Sequence, residues 1–567
     1  MTLDRRGALP LLTSLYDAGA DELLARLEAL LERRRPGLAS RSGAGPWDQS
    51  DVFLIGYPDQ VRSPGSTPLQ TFEAFARTRL QGLFGGLHLL PFFPSSSDDG
   101  FAVTDYRRVE PDFGSWSDVE TLGREYRLMV DLVLNHTSAR CAWFIDFCQG
   151  RPPYHSFYRV PEAAGDWSQV VRPRVTPLFS TFDTATGPQS VWTTFGPDQV
   201  DLDYRNPGVL LEMVDLILDY VEHGAEVIRL DAVAFVGKRS GTACLHLPEA
   251  HTIVKLLRLA ARNAAPWVRL ITETNVPHLD GLSYFGDGDE ADLVYTFALP
   301  PLIAHTLTTG DSRPLTEWTA LLSPPPGDAT FFQFLASHDG IGLNGASGLL
   351  SEAQVAALVE RALTCGAVSV RSTPSGGDLP YELNVNLLDM LSGAAPSESL
   401  PDNAVARFHC AHAILLSLPG VPAIYFHSLV GSRGDAEGVR RTGRSRSINR
   451  EKLDLAELQG ELRQEGSVRR QVFEGMARLL RLRRSQPAFH PRAAHTVLPD
   501  RPGGVFVLER RSLDGRQHLV CLFEVAGEVA SAMLAHRGEG RDLLTGDIVE
   551  LDRVSLGPYQ VRWLEVP

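Results

Sequence analysis

Eight short apolar runs recur along the chain: DVFLIGYPDQ, GLHLLPFF, RLMVDLVLNH, AEVIRLDAV, VRLITETN, DLVYTFAL, TFFQFLASHD and VPAIYF. Helical segments separate them, and this alternation predicts parallel strands joined by crossover helices. Eight such strands favour a closed barrel over an open sheet. Ahead of the first strand, LLTSLYDAGADELLARLEALLERRRP carries apolar residues at helical spacing and stops at Pro36. Two stretches interrupt the alternation. Residues 138–205 are rich in aromatics, Pro and Arg and predict an inserted subdomain. Residues 370–400 carry Gly and Pro clusters and predict a long loop, a feature usually functional inside a compact domain. The final segments GGVFVLERRS, QHLVCLFEVA and RVSLGPYQVRWLEV alternate apolar and polar positions, the period of antiparallel strands. The expected fold is therefore an α/β (β/α)8 TIM barrel with an inserted subdomain and a C-terminal antiparallel β domain. The expected divisions are a helical extension over 1–50, barrel over 51–137, subdomain over 138–205, barrel with the 370–400 loop over 206–487, and β domain over 488–567.

Composition narrows the function. With 567 residues, 43% hydrophobic and 22% charged, the chain can bury a large core. A formal net charge of −15 argues against nucleic acid or an anionic membrane surface as partner. A local Arg cluster can still reverse the field in one cleft. The six cysteines lack metal-ligand or disulfide-framework spacing and read as reduced, buried thiols. MTLDRRGALPLL has no signal-peptide core. Cys410 to Phe426 falls short of a membrane span and reads as a helix entering a buried strand. These features predict a cytoplasmic protein, monomeric or homodimeric.

Three of the strand-like runs end on an acid: Asp231 in IRLDAVAF, Glu273 in LITETN and Asp339 in ASHDGIG. Parallel barrels collect their chemistry at the carboxyl ends of the strands, where packing alone does not account for a carboxylate. Glycosidic bond chemistry needs several carboxylates with different tasks. Arg229, two residues before Asp231 on the same strand, points to the same side and would lower the Asp231 pKa.

The motifs DLVLNHTS (Asp131, Asn135, His136), VIRLDAVAF, ITETN and ASHDG, in this order, resemble those of the alpha-amylase superfamily of retaining α-glycosidases. LHLLPFFPSSSDDGFAVTDY, VWTTFGPDQVDLDYRNP, GTACLHLPEAH and RSRSINREK resemble its sucrose phosphorylase branch. The RPRVTPLF and PYELNVN loops and the N-terminal extension look most like the glucosylglycerate phosphorylase members. Sucrose phosphorylases usually carry Gln where PYELN has Glu382 and lack the extension.

The resemblance implies Asp231 as nucleophile, Glu273 as general acid/base and Asp339 as stabiliser of the oxocarbenium-like transition state. It implies that His136, His338 and Asp98 bind glucose hydroxyls, that Phe101 lies against the apolar face of the ring, and that Arg446 partners Asp98. No metal or other cofactor is required. GDGDE over 286–290 is too short for an EF-hand loop and reads as a surface turn. If phosphate is the acceptor, its subsite needs cations despite the acidic chain. Arg172 and Arg174 in VVRPRVTP are the local candidates, because guanidinium forks match phosphate and carboxylate. Tyr381, Glu382 and Asn384 are candidates for the glycerate hydroxyls. The implied reaction moves α-glucosyl from 2-O-α-glucosylglycerate to phosphate, giving α-glucose 1-phosphate and glycerate. A sucrose or sucrose 6'-phosphate phosphorylase is the alternative, then a hydrolase or transglycosidase. A non-catalytic barrel is disfavoured by the three acids.

Overall fold

The computed structural model describes residues 3–39, 41–372, 377–499 and 504–567. Every one of the eight apolar runs forms a strand: β1 (Phe53–Gly56), β2 (Gly86–Leu89), β3 (Arg127–Val133), β4 (Ala225–Asp231), β5 (Arg269–Thr272), β6 (Leu293–Tyr295), β7 (Thr330–Phe334) and β8 (Val421–Tyr425). They pair in parallel in sequence order, and β8 closes on β1 through Phe53 opposite Ala423. The strands are predominantly apolar because helices cover the outside and side chains fill the interior. Phe53 and Phe332 meet edge-on inside, with centroids 5.6 Å apart. The price of that packing falls on Gly86, where a Cβ would sit 2.5 Å from the Phe53 ring.

The N-terminal extension folds as two helices, α1 (Arg5–Tyr16) and α2 (Ala20–Leu38), with Pro36 taken into the last turn of α2 and not ending it. They pack on the helices Pro207–Glu222 and Pro248–Ala264. Arg34 of α2 ion-pairs Asp215 at 2.7 Å, Asp219 at 3.0 Å and Glu222 at 2.9 Å. Between β3 and β4 the chain makes two antiparallel pairs, His136–Ser138 with Gln199–Asp201 and Phe179–Thr184 with Gly187–Trp192. Lys238, just beyond β4, reaches back to Asp201 at 2.8 Å.

The predicted long loop over 370–400 is largely ordered structure, although 373–376 lie outside the described residues. Ala367–Ser372 and Asp378–Asn384 pair antiparallel, and Ile341–Gly342 joins the second of them. Leu387–Ser392 is helical. The described part of 370–400 is thus hairpin strand and helix and not a 30-residue irregular segment. The run read as a poor membrane span is the helix Ala404–Ser417 leading into β8. Among the described residues no helix is long and apolar enough to cross a membrane. All six cysteines are free, five of them buried.

After the barrel, β9 (Ala494–Val497), β10 (Val505–Arg511), β11 (His518–Glu524), β12 (Ala530–Ala532), β13 (Glu539–Asp542), β14 (Ile548–Glu550), β15 (Val554–Leu556) and β16 (Val561–Val566) follow. They form a six-stranded antiparallel sheet, β9-β10-β11-β16-β13-β14, and a β12–β15 pair. A second apolar core, including Val507, Leu522, Ala532 and Leu534, lies between them. Arg483 ties this region to the barrel by donating to the carbonyls of Leu416 at 2.9 Å, Phe489 at 3.1 Å and Gln49.

Candidate active site

Parallel packing brings the carboxyl ends of the strands to one face, and one cavity of about 610 Å³, counted to its open mouth, lies there. Asp231 is the last residue of β4, and Glu273 follows the end of β5 directly. Asp339 comes from the segment beyond β7. All three line this cavity, together with Asp98, Phe101, His136, His338, Arg446, Arg174 and Tyr381.

Arg229 lies below them, buried to 3% exposure. Its Nη1 donates to Asp231 Oδ1 at 2.8 Å and to Asp131, and its Nη2 lies 3.7 Å from Glu273 Oε2. Asp231, Asp131 and Glu273 thus share one guanidinium. Ala232, between nucleophile candidate and following turn, adopts φ 53°, ψ 30°, and its N–H donates to Glu273 Oε2 at 3.3 Å. A left-handed conformation at a residue with a Cβ costs about 1 kcal/mol and turns the chain away after Asp231.

Burial raises the carboxyls of both Asp231 and Glu273 above their ordinary range against the opposing pull of Arg229. Like charge adds to this: Glu273 raises Asp231, and Asp339 raises Glu273. The pair therefore retains a proton to higher pH than free carboxyls would. Arg229 lies nearer Asp231 than Glu273, 2.8 Å against 3.7 Å, but burial outweighs its pull there, so the lowered Asp231 pKa expected from the sequence is not found. At Asp339 burial also pushes upward, but Arg446, His338 and Arg450 outweigh it and hold this carboxyl well below the usual range. Arg446 Nη1 is 2.6 Å and Arg450 Nη2 3.2 Å from Asp339 Oδ1.

His338 stacks on Phe101 with centroids 5.0 Å apart, and burial drives its pKa down to about 3, so it is neutral at physiological pH. His136 is likewise lowered by burial; its Nε2 lies 3.1 Å from the Phe101 carbonyl and 3.1 Å from Gln199 Nε2. Gln199 also donates to Asp98 Oδ2 at 3.2 Å. Asp98, Asp99 and Gly100 have φ of 53°, 50° and 110°. Asp tolerates this region better than most residues, and the bend aims Asp98 into the cavity.

Four expected placements change. Arg446 lies beyond ion-pair distance of Asp98, although its charge is the largest pull lowering that carboxyl; it is held between Asp339 and Glu382, where Nε donates to Glu382 Oε1 at 3.0 Å and Nη2 to Oε2 at 2.5 Å. A bidentate carboxylate fork outcompetes a more distant single acid. Glu382 is consequently buried on Arg446 and the Gly340 N–H, at 3.1 Å, and does not line the cavity. Asn384 is fully buried and donates to Ser369 Oγ at 2.7 Å. Arg172 spends its guanidinium on the Thr176 carbonyl, leaving Arg174 in the cavity wall. The 286–290 segment is a turn as expected, though Glu290 at its end is buried and bonded to His251 at 2.8 Å.

Sequence reasoning missed Asn275, Gln199, Phe195 and Phe235, all in the wall. Asn275, two positions beyond Glu273, has a buried Oδ1 without a protein partner. Its place in ITETN was the available signal.

Residues 81–321 match the family described as Alpha amylase, catalytic domain. Over 564 residues the chain is 44% identical to the glucosylglycerate phosphorylase of Allomeiothermus silvanus, covering 99% of this chain and 98% of that one. It is 46% identical to that of Spirochaeta thermophila, over 95% and 94% of the two chains. The crystal structure of sucrose 6F-phosphate phosphorylase from Thermoanaerobacter thermosaccharolyticum superposes with a TM-score of 0.74 over 89% of this chain and 98% of that one, at 24% identity, and so shares the fold. The eight-stranded barrel, its strand-end acids and these full-length similarities have one reading: the chain belongs to the alpha-amylase family, alongside the glucosylglycerate phosphorylases.

Proposed function

We propose that the protein is a retaining phosphorylase that moves an α-glucosyl group from 2-O-α-glucosylglycerate to phosphate. The observation that carries this reading is the seating of Asp231 and Glu273 on one guanidinium in one cavity, in a chain 44–46% identical to two glucosylglycerate phosphorylases over nearly its whole length. Asp231 attacks the anomeric carbon as the bond to the glycerate oxygen breaks, and Glu273 delivers its proton to that oxygen. The charge developing on the ring is met by Asp339, whose low pKa keeps it ionised. Phosphate then attacks the β-glucosyl-enzyme, Glu273 takes up the proton it loses, and α-glucose 1-phosphate leaves with Asp231 free again. Two inversions give net retention.

Arg174 and Tyr381 face the side where glycerate leaves and phosphate enters. Burial, with Glu382 and Glu273 nearby, pushes the Tyr381 hydroxyl up to about 12, so it stays a hydrogen-bond donor. The segments 138–205 and 370–400 act as functional units in this scheme, since they supply Arg174 and Tyr381. We place the enzyme in the cytoplasm as a monomer or homodimer.

The test offers 2-O-α-glucosylglycerate or sucrose with phosphate and measures glucose 1-phosphate. Phosphate-dependent release from the glycerate donor is the expected result. Equal donor cleavage with and without phosphate refutes the phosphorylase reading, and faster release from sucrose transfers it to that donor.

A further inference from the structure

Far from the catalytic cavity, Glu509, His518 and His536 turn their side chains toward one point, with one ligand-capable atom from each lying within 4.8 Å of the others. Glu509 is on β10 and His518 on β11; Arg511 pairs with His518 and Glu509 with Val520, so Glu509 and His518 are diagonal neighbours on one face of the ribbon. His536 comes from the segment joining β12 to β13. His518 Nε2 is 3.3 Å from Glu509 Oε2, and His536 Nε2 is 3.1 Å from Glu509 Oε1. The imidazole centroids are 5.1 Å apart at 71°, so both ring edges converge on one carboxylate without stacking.

We propose that these three residues form a binding site for a borderline divalent cation, Zn²⁺. Two imidazoles and a carboxylate are a ligand set this ion accepts, with the fourth position left to water. Bond lengths of about 2.0–2.2 Å set ligand atoms of a tetrahedron about 3.3–3.5 Å apart. The N···O separations of 3.3 and 3.1 Å, each to a different Glu509 oxygen, lie close to that edge. The side chains are 10–24% exposed, so an ion can enter and keep a water.

One local contact opposes binding. Arg511 Nη2 donates to His518 Nδ1 at 3.3 Å, which requires the proton on Nε2. Metal at Nε2 shifts that proton to Nδ1 and releases Arg511, an exposed side chain. The consequence of binding is mechanical: Leu534, two residues before His536, sits in the second apolar core, and the ion clips this connection to the β10–β11 ribbon at the core's rim.

The test titrates the full chain with Zn²⁺ against a chromophoric chelator and follows thermal unfolding in parallel. One equivalent binds and raises the Tm. His536→Ala, in a half-exposed connection, and His518→Ala each weaken binding by about tenfold or more, with glucose 1-phosphate release unchanged. Arg511→Gln tightens binding several-fold, an effect that mere deletion of hydrogen bonds does not produce. No saturable binding, or the same equivalent retained in a His518→Ala/His536→Ala double variant, overturns the proposal. Phosphorolytic activity is read separately, so failure of this site is distinguishable from failure of the proposed reaction.

Discussion

Replacing Glu273 with Gln isolates the division of labour between the two carboxyls. Arg229 approaches Asp231 at 2.8 Å and Glu273 at 3.7 Å. At an effective dielectric constant of about 20, that difference favours ionising Asp231 first by about 1 kcal/mol. Once Asp231 is charged, a second charge at the about 5 Å separation a retaining mechanism requires is opposed by about 3 kcal/mol, or about two pKa units, on top of burial. Glu273 therefore keeps its proton over the working range, and kcat/KM should follow a bell. The acid limb is the ionisation of Asp231 beside a neutral Glu273, and the alkaline limb is loss of the Glu273 proton. Gln is neutral at every pH. The variant should lose the alkaline limb and keep the acid limb near its original position. Phosphorolysis of glucosylglycerate should fall by about 10²- to 10⁴-fold. With α-glucosyl fluoride, whose leaving group needs no proton, formation of the glucosyl-enzyme should be far less affected. An alkaline limb that survives the substitution, or equal losses with both donors, refutes the assignment.

Asp231→Asn should reduce turnover by about 10⁴-fold or more, since it removes the carboxylate that Arg229 holds at 2.8 Å in the cavity wall; full turnover in this variant removes Asp231 as nucleophile. Arg174→Ala should raise the KM for phosphate by about tenfold to a hundredfold, the worth of one charge-assisted hydrogen bond, while hydrolysis of the glucosyl-enzyme persists; an unchanged phosphate KM excludes it from the acceptor subsite. Arg483→Met should destabilise the fold by about 3 kcal/mol in urea unfolding, because two buried carbonyls and one part-buried carbonyl lose their donor. A loss below about 1 kcal/mol would show those carbonyls to be otherwise solvated.

Eight strands and the three acids at their ends were legible because a buried parallel strand is written as a continuous apolar run and a polar residue at its tip breaks the pattern. Side-chain partnerships were not. Tyr381 and Glu382 are consecutive in a strand, so they point to opposite sides; only one can face the cavity, and sequence does not say which. The hairpin around them was hidden because Gly and Pro clusters in the sequence read as an irregular loop. Arg446 had several acids within reach, and its choice of Asp339 and Glu382 over Asp98 depends on where the hairpin and the segment after β7 meet. Arg172 and Arg174 are equivalent in sequence, and a carbonyl four residues along separates them. The cluster at Glu509, His518 and His536 joins two strands and a connection, with no local signature.

Arg446 joins Asp339, the proposed transition-state stabiliser, to the hairpin that carries Glu382 and Tyr381. Its fork on Glu382 makes the recognition of one half of the donor mechanically dependent on the other half. Grafting a hairpin from a relative to obtain a new disaccharide preference would thus disturb glucose itself unless residue 382 still offers a charged fork. Redesign of this enzyme has to treat Glu382, Arg446 and Asp339 as a single exchangeable unit.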